Sequence, residues 1–308
     1  MLGAEDAARR PPRVDVRELV EVRSRRPEAI AEAAEARDRR PLLGSSGRLL
    51  IVAADHPARG SLAAGGDPLA MADRAALLER LVTALSRPGV DGVLGTADVL
   101  EDLLLLGALE RKVVLGSMNR GGLAGAAFEL DDRFTGHRAE DLAALRFDGG
   151  KLLLRIDHRD PGTGRTLHAA ARTVDALASL RLPVFVEPFL VGRTAAGVRA
   201  DLRSTAVARS VAIAAGLGGT SAYTWLKLPL PADGEAARAY AAATLPMVVL
   251  GGEAHGDLSR TYERWREALR LPTVRGLVAG RPLLYPAAGA GLDAVASAVD
   301  RAAELVHG

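Results

Sequence analysis

The 308-residue sequence predicts a (β/α)8 barrel, in which eight parallel strands close into a cylinder inside a ring of helices. Short, continuous apolar runs such as Leu49-Leu50-Ile51-Val52-Ala53-Ala54 are typical of parallel strands that are buried on both faces. Eight such runs alternate with helical patterns over about 250 residues, which matches this barrel in number and size. A doubly wound sheet is the alternative, but no G-x-G-x-x-G follows the first strand to support dinucleotide binding.

The barrel is expected to span residues 48–308, after a polar, arginine-rich extension over 1–47 that is helical between residues 14 and 37. The long, glycine-rich segment 119–136 is a candidate lid. The eight predicted strands are 49–54, 90–95, 112–117, 151–156, 183–187, 223–228, 246–251 and 274–280. The helices predicted after them are 71–87, 96–110, 138–147, 166–180, 201–217, 234–243, 258–271 and 292–306.

Composition excludes several classes of function. Cysteine is absent, so disulfides, thiolate catalysis and thiolate metal sites are excluded. The formal net charge is only +2, and acidic and basic residues alternate throughout, so no nucleic-acid footprint is expected. No apolar run has the length of a membrane span, and the N-terminus is charged and unlike a signal peptide. We therefore expect a cytoplasmic protein with no membrane or nucleic-acid partner.

A lysine inside an apolar strand is the most informative residue of the chain. The sequence has 40 lysines and arginines, and only Lys112, Lys151 and Lys227 are lysine. Lys227 lies near the end of the sixth predicted strand, in Tyr223-Thr224-Trp225-Leu226-Lys227-Leu228. Arginine stays protonated, whereas a desolvated lysine can lose its proton and attack a carbonyl. Lys227 is therefore the candidate nucleophile, with a structural ion pair as the alternative.

Other charged residues stand at the ends of neighbouring strands, where barrel enzymes carry their chemistry. Asp55 ends the first strand and Glu187 the fifth. On the fourth strand, alternate residues are expected to share one face, namely Lys151, Leu153, Arg155 and Asp157. Few cores tolerate so many charges without using them. Simpler interpretations remain open: Asp55 as a turn cap, Glu187 as a neutralising partner, and Lys151 in an ion pair at the bottom of the barrel.

Two further features concern anions and metals. Gly251-Gly252 and Gly280-Arg281, after the seventh and eighth strands, are either tight turns or a phosphate site formed by backbone N–H groups and a guanidinium. His56, His158 and His255 lack the spacing of metal ligands, and His56 is interpreted as a turn residue. No metal and no cofactor are expected.

These residues resemble those of the class I (Schiff-base) aldolases, a group that includes deoxyribose-phosphate, tagatose-bisphosphate and bacterial class I fructose-bisphosphate aldolases. Ala53-Ala54-Asp55-His56 is similar to the A-x-D-H-G of the first strand, and Trp225-Leu226-Lys227-Leu228-Pro229 is similar to the strand that carries the imine-forming lysine. Gly251-Gly252 and Val278-Ala279-Gly280-Arg281 resemble the phosphate turns, and Lys151 and Glu187 resemble the assisting residues of the tagatose-bisphosphate branch. The resemblance covers about residues 48–305.

The sequence departs from this group at three positions. Pro57 replaces the glycine after Asp-His, Glu253 follows the seventh-strand glycines, and Glu187 stands where the fructose-bisphosphate branch has tyrosine. The segment from Asn119-Arg120-Gly121-Gly122-Leu123 to Phe134-Thr135-Gly136 resembles an actinobacterial aldolase-like family associated with inositol catabolism. That resemblance implies 6-phospho-5-dehydro-2-deoxygluconate as substrate, cleaved to dihydroxyacetone phosphate and malonate semialdehyde.

The resemblance implies a lyase in which Lys227 forms an imine and Asp55 or Glu187 transfers protons. Two other classes remain open. One is a phosphosugar isomerase or epimerase that uses Glu187 as its base without an imine, and the other is a non-catalytic sugar-phosphate sensor. A phosphorylated small molecule is the expected ligand, and a homo-oligomer is expected, with the N-terminal helices as a candidate interface.

Overall fold

A computed structural model describes residues 13–119, 130, 132–195, 197–252, 258–287 and 289–308, and it confirms the barrel. The strands are β1 (Leu49–Ala53), β2 (Gly92–Gly95), β3 (Val113–Ser117), β4 (Gly149–Ile156), β5 (Val184–Thr194), β6 (Gly197–Ala200), β7 (Thr224–Leu228), β8 (Met247–Leu250) and β9 (Val274–Ala279). Eight of them are parallel and follow one another in the order β4-β3-β2-β1-β9-β8-β7-β5, and a β4–β5 pairing closes the ring. The ninth, β6, pairs antiparallel with β5.

The helices surround this barrel and are mostly shorter than predicted. The helix expected from residue 71 begins at Arg74, because the side chain of Asp73 accepts a hydrogen bond from Ala76 N and caps it. A short 3₁₀ turn, Pro57–Arg59, follows β1. The helices are α1 (Val16–Arg25), α2 (Ala29–Ala36), α3 (Arg74–Leu85), α4 (Ala97–Leu105), α5 (Ala139–Ala144), α6 (Gly162–Ser179), α7 (Ser204–Ala215), α8 (Ala236–Tyr240), α9 (Leu258–Leu269), α10 (Arg281–Leu284) and α11 (Leu292–His307).

The lower part of the barrel is a packed core. Alternate residues of the strands point inward and form one apolar cluster, in which the rings of Phe185 and Trp225 stack with centroids 5.3 Å apart. At Gly276 in β9, an added Cβ would lie 1.9 Å from the carbonyl oxygen of Leu49, so only glycine fits. A filled lower barrel leaves the carboxyl ends of the strands as the place for an open cavity.

The N-terminal extension closes the opposite end of the barrel. Arg37, buried after α2, donates a 2.8 Å hydrogen bond to the carbonyl oxygen of Lys112 and pairs with Asp148 at 3.3 Å. Arg40 pairs with Asp91 at 2.6 Å, and Leu42 packs against the interior cluster. The segment between α2 and β1 therefore seals the bottom of the barrel with ion pairs and one apolar side chain.

Strands β4 and β5 extend beyond the other strands at the carboxyl end of the barrel. Their pairing runs from Gly150↔Val184 to Ile156↔Leu190, and β5 then continues into the hairpin with β6. The prediction of a fifth strand that stops at residue 187 was too short. Proline usually ends a central strand, yet Pro188 lies inside β5 opposite Leu154. The extended hairpin forms a wall on one side of the barrel mouth.

Within the residues that the structure describes, none of the helices combines the length and the apolar character that a membrane crossing requires.

Candidate active site

A cavity of about 460 Å³ opens at the carboxyl ends of the strands. Its lining brings together all the site residues predicted from the sequence, which come from six different strands and the turns after them. These residues are Asp55, Lys151, Arg155, Glu187, Lys227, Gly251, Gly252, Gly280 and Arg281. Their roles remain predictions, but the structure confirms that they share one cavity.

The floor of the cavity holds four charged side chains in an alternating chain. Lys227 Nζ lies 2.7 Å from Glu187 Oε1, and Lys151 Nζ lies 2.6 Å from Glu187 Oε2. Lys151 Nζ also lies 2.9 Å from Asp55 Oδ2. Each of these side chains is at most 10% exposed. Two ammonium and two carboxylate groups balance each other, which is how buried charges become tolerable.

Strand register explains why these side chains meet. Val186 pairs with Leu226, so Glu187 and Lys227 follow side by side on β5 and β7. Lys151 pairs with Ser117, the last residue of β3, so it already lies at the level of the strand ends although it is near the start of β4. The alternative that placed Lys151 in an ion pair at the bottom of the barrel is therefore wrong.

The pKa values of these groups follow from their mutual contacts. Burial by itself would raise the pKa of Asp55 and of Glu187, but neighbouring cations, Lys151 first among them, outweigh it and leave both pKa values lowered. Burial likewise opposes the charge of Lys151, yet Asp55 and Glu187 raise its pKa. Both carboxylates are thus ionised at neutral pH, and Lys151 is a fixed cation.

His56 lies closer to the charged floor of the cavity than the sequence suggested. It does begin the Pro57–Arg59 turn, as predicted, but it also lines the cavity, with Nδ1 3.6 Å from Asp55 Oδ1. Desolvation lowers the pKa of His56 to about 4, against the opposing charge of Asp55, so the imidazole is neutral at pH 7. His158 lines a separate cavity, and His255 lies outside the described residues.

Arg155 has a partner that sequence analysis missed. Its Nε lies 3.2 Å from each carboxylate oxygen of Asp132, its Nη2 also contacts that carboxylate, and both side chains are buried. Burial raises the pKa of Asp132, and the charge of Arg155 opposes that shift. Asp132 stands in the glycine-rich segment, where no periodicity indicates which side chains point inward. Most of the predicted lid, residues 120–129 and 131, lies outside the described residues.

The turns after β8 and β9 form the rim next to Lys227. At Gly280, an added Cβ would lie 2.4 Å from the carbonyl oxygen of Ala53, so the backbone there packs too closely for a side chain. Gly252 has a φ of +72°, which favours glycine. Gly251 N–H already donates to the carbonyl of Val278 at 3.2 Å. An anion at this rim would therefore meet Arg281 and the other backbone N–H groups of the two turns.

The opposite wall of the cavity is apolar. Phe189 and Val191 of β5, Val198 of β6, and Leu202 after the hairpin all contribute to it. Leu202 is 37% exposed, which is high for a leucine beside a cavity. The cavity thus joins a charged floor, a glycine-rich rim with an arginine, and an apolar wall.

Fold and site together define a (β/α)8 barrel with a charged cavity at the carboxyl ends of its strands, and solved aldolases share this fold. An archaeal fructose-1,6-bisphosphate aldolase, solved with its catalytic lysine covalently bound to the carbinolamine intermediate, is 18% identical, with a TM-score of 0.65 over 91% of this chain and 100% of that one. A Schiff base-forming fructose-1,6-bisphosphate aldolase is also 18% identical, with a TM-score of 0.66 over 90% of this chain and 99% of its own. At this identity the likeness concerns the fold.

The chain belongs to the Cgl0159-like family, whose model matches residues 47–303. The crystal structure of Cgl0159 from Corynebacterium glutamicum is 50% identical to it, with a TM-score of 0.91 over 96% of this chain and 99% of that one. A comparison with curated proteins finds no match. The predicted likeness to class I aldolases is thus confirmed at the level of the fold.

Proposed function

We propose that this protein is a Schiff-base-forming aldolase that cleaves a phosphorylated keto compound. The observation that carries the proposal is the contact of Lys227 with Glu187, 2.7 Å apart at the floor of the cavity. An amine that is 5% exposed and touches a proton acceptor is suited to attack a carbonyl. The same type of fold serves Schiff-base aldolases among the structural neighbours.

Imine formation needs proton transfers that Glu187 is placed to perform. The Lys227 ammonium gives one proton to Glu187, and the neutral nitrogen then forms a bond to the ketone carbon while the carbonyl π electrons move to oxygen. One proton moves from nitrogen to that oxygen to give a carbinolamine, Glu187 returns its proton to the hydroxyl so that water leaves, and one proton remains on the iminium nitrogen. The ammonium and ketone thus become iminium and water without an external acid.

Lys151 and Asp55 keep the buried charges balanced during this proton transfer. Lys151 lies between the two carboxylates, at 2.6 Å from Glu187 and 2.9 Å from Asp55, and its raised pKa keeps it charged. When Glu187 is protonated, Lys151 still has Asp55 as its counter-ion. Asp55 therefore allows Glu187 to change its protonation state without leaving an unpaired buried cation.

Carbon–carbon cleavage uses the iminium as an electron sink. A base removes the proton of the hydroxyl two carbons from the imine carbon, an aldehyde forms, and the electron pair of the broken bond gives an enamine. We assign the base to Glu187, because its Oε1 contacts Lys227 Nζ directly and therefore lies beside the carbon that forms the imine. Protonation and hydrolysis of the enamine then release the ketone product and regenerate the lysine.

The rim next to Lys227 is the proposed phosphate site. Arg281 supplies a guanidinium, and the closely packed glycines allow a phosphate to approach the backbone. Dihydroxyacetone phosphate, whose phosphate is one carbon from the ketone, suits a site in which rim and lysine are neighbours. The resemblance of the sequence makes 6-phospho-5-dehydro-2-deoxygluconate, which yields dihydroxyacetone phosphate and malonate semialdehyde, the first substrate to test.

Borohydride reduction in the presence of dihydroxyacetone phosphate tests the proposal. Peptide mass spectrometry should find the reduced adduct at Lys227 and not at Lys112, which lies at the other end of the barrel with its Nζ on the carbonyl of Val90. Lys227→Arg should abolish the adduct, and Lys112→Arg should leave it unchanged. An unmodified wild-type protein would refute imine chemistry and favour an isomerase or a sensor.

A further inference from the structure

The order of the strands gives the substrate a direction across the cavity. In the closed ring, β9 and β4 are four strands apart by either route and therefore face each other. β7 lies two strands from each of them. Arg281 follows β9, Lys227 is on β7, and Arg155 is near the end of β4. A substrate with its phosphate at Arg281 and its ketone at Lys227 thus directs its remaining half toward Arg155.

Arg155 lies far enough along its strand, toward the open end of the barrel, to contact this remaining half of the substrate. On β4 it is four residues beyond Lys151 and on the same face, which places it about 13 Å further along the strand. It pairs in register with Phe189, at the base of the apolar wall. The position is thus above the reacting lysine and opposite the phosphate rim.

Asp132 fixes the guanidinium in this position. Arg155 Nε lies 3.2 Å from both carboxylate oxygens, and Nη2 contacts the same carboxylate, so two nitrogens along one edge of the planar group are held. The Asp132 side chain is completely buried and comes from the segment between β3 and α5, not from the strand that carries Arg155. A long side chain held in this way loses its rotamer freedom before any ligand binds.

We propose that Asp132 is a positioning residue, which holds Arg155 where it contacts an oxygen of the substrate half that leaves as the aldehyde. The inference rests on the proposed aldolase function and adds a subsite to it. Arg281 binds the half that becomes the phosphorylated ketone, and the Asp132–Arg155 pair binds the other half. The two arginines therefore act on different steps of the reaction.

Two assays report separately on the binding of the two halves of the substrate. Deuterium exchange into dihydroxyacetone phosphate, followed by NMR, reports imine and enamine formation and needs no aldehyde. Condensation with malonate semialdehyde needs both halves. For Asp132→Asn, we expect exchange within about twofold of wild type and an aldehyde KM raised by about tenfold or more. Arg281→Ala should instead weaken the exchange reaction.

Chemical rescue tests the contact between Asp132 and the guanidinium group itself. Added guanidinium should restore condensation in Arg155→Ala, where Asp132 remains to bind it, and should fail in the Arg155→Ala/Asp132→Asn double variant. Asp132→Asn leaves the Arg155 charge buried without its partner, whereas the double variant removes both charges. The rescue test with the double variant can therefore be carried out even if Asp132→Asn alone does not fold. Asp148→Asn is the matched control, since it weakens a buried arginine pair at the bottom of the barrel and should alter neither assay.

The outcomes distinguish this inference from the function on which it rests. Equal losses of exchange and condensation in Asp132→Asn, or equal rescue of the single and double variants, would overturn the subsite while leaving the aldolase intact. Failure of the wild type to exchange deuterium into dihydroxyacetone phosphate would overturn the aldolase proposal, and the subsite with it.

Discussion

Replacement of Glu187 by glutamine is the sharpest test of the site. Glutamine has nearly the same shape but no charge and no basic oxygen, so it cannot take a proton from Lys227. Lys227 and Lys151 lie 2.7 and 2.6 Å from the two carboxylate oxygens. The substitution leaves two buried ammonium groups with Asp55 as the remaining anion of the four-charge chain.

The expected loss of stability follows from this geometry. Removal of one member of a buried ion pair costs about 3–5 kcal/mol, because the other charge stays buried without its partner. The Lys151 contact to Asp55 persists at 2.9 Å, so we expect the lower half of that range. For a chain of this size, the Tm should fall by about 5–10 °C.

The expected kinetic effect is a large decrease in the rate of adduct formation. A positioned proton carrier contributes about 10²- to 10⁴-fold to a rate, so formation of the reducible adduct should slow by that factor in Glu187→Gln. The assay is quenched borohydride trapping with dihydroxyacetone phosphate, below the Tm of every variant. Adduct formation at the wild-type rate would refute the role of Glu187 as proton carrier.

A control variant separates chemistry from stability. Asp91 is a buried carboxylate at the bottom of the barrel, where it pairs with Arg40 at 2.6 Å and accepts a 2.7 Å hydrogen bond from Leu50 N. Asp91→Asn should therefore lower the Tm about as much as Glu187→Gln does. It should leave the trapping rate unchanged, because it lies at the other end of the barrel.

Three further predictions follow from the same structure. Arg281→Ala should raise the half-saturating concentration of dihydroxyacetone phosphate in the trapping assay by about 10- to 100-fold, as expected for loss of a charged hydrogen bond, and an unchanged value would exclude Arg281 from the phosphate site. Because the pKa of His56 is lowered to about 4, the unfolded chain binds the proton first, so urea titrations should show stability falling from about pH 6.5 toward pH 4. This loss in the free energy of unfolding is about 3 kcal/mol at most, and His56→Gln should remove it. Below about pH 4, protonation of Asp55 and Glu187, whose pKa values are lowered, destabilises the fold further. Arg37→Met should lower the free energy of unfolding by about 2–4 kcal/mol with normal trapping, and a trapping defect would contradict the purely structural role of the barrel seal.

The barrel was predictable because its strands carry a local signal. Each parallel strand is an apolar run bounded by turn residues, so the eight runs could be counted without knowledge of their pairing. The two-residue period then placed Lys151, Leu153 and Arg155 on one face of β4, and the structure confirms that all three line the cavity. Asp157, assigned to the same face, lines a neighbouring cavity instead, because β4 ends at Ile156.

Features that depend on distant contacts could not be predicted in this way. Asp132 becomes part of the site only through its pairing with Arg155, and the intervening 22 residues include a helix and a strand. The hairpin of β5 and β6 was missed because Pro188 suggests the end of a strand. The seal by Arg37 and Arg40 was missed because charged residues in a polar extension carry no sign of burial.

Buried carboxylates are paired with different cations at the two ends of the barrel, and this difference supports the functional proposal. At the bottom, arginines pair with Asp91 and Asp148, whose carboxylates also accept backbone hydrogen bonds from Leu50 and Val114. The guanidinium protons of these pairs stay fixed, since arginine does not give its proton up. At the top, two of the three lysines of the chain share one carboxylate. A site that serves only stability needs no group that can exchange protons, whereas a carboxylate paired with lysine instead of arginine is what proton transfer at Lys227 requires.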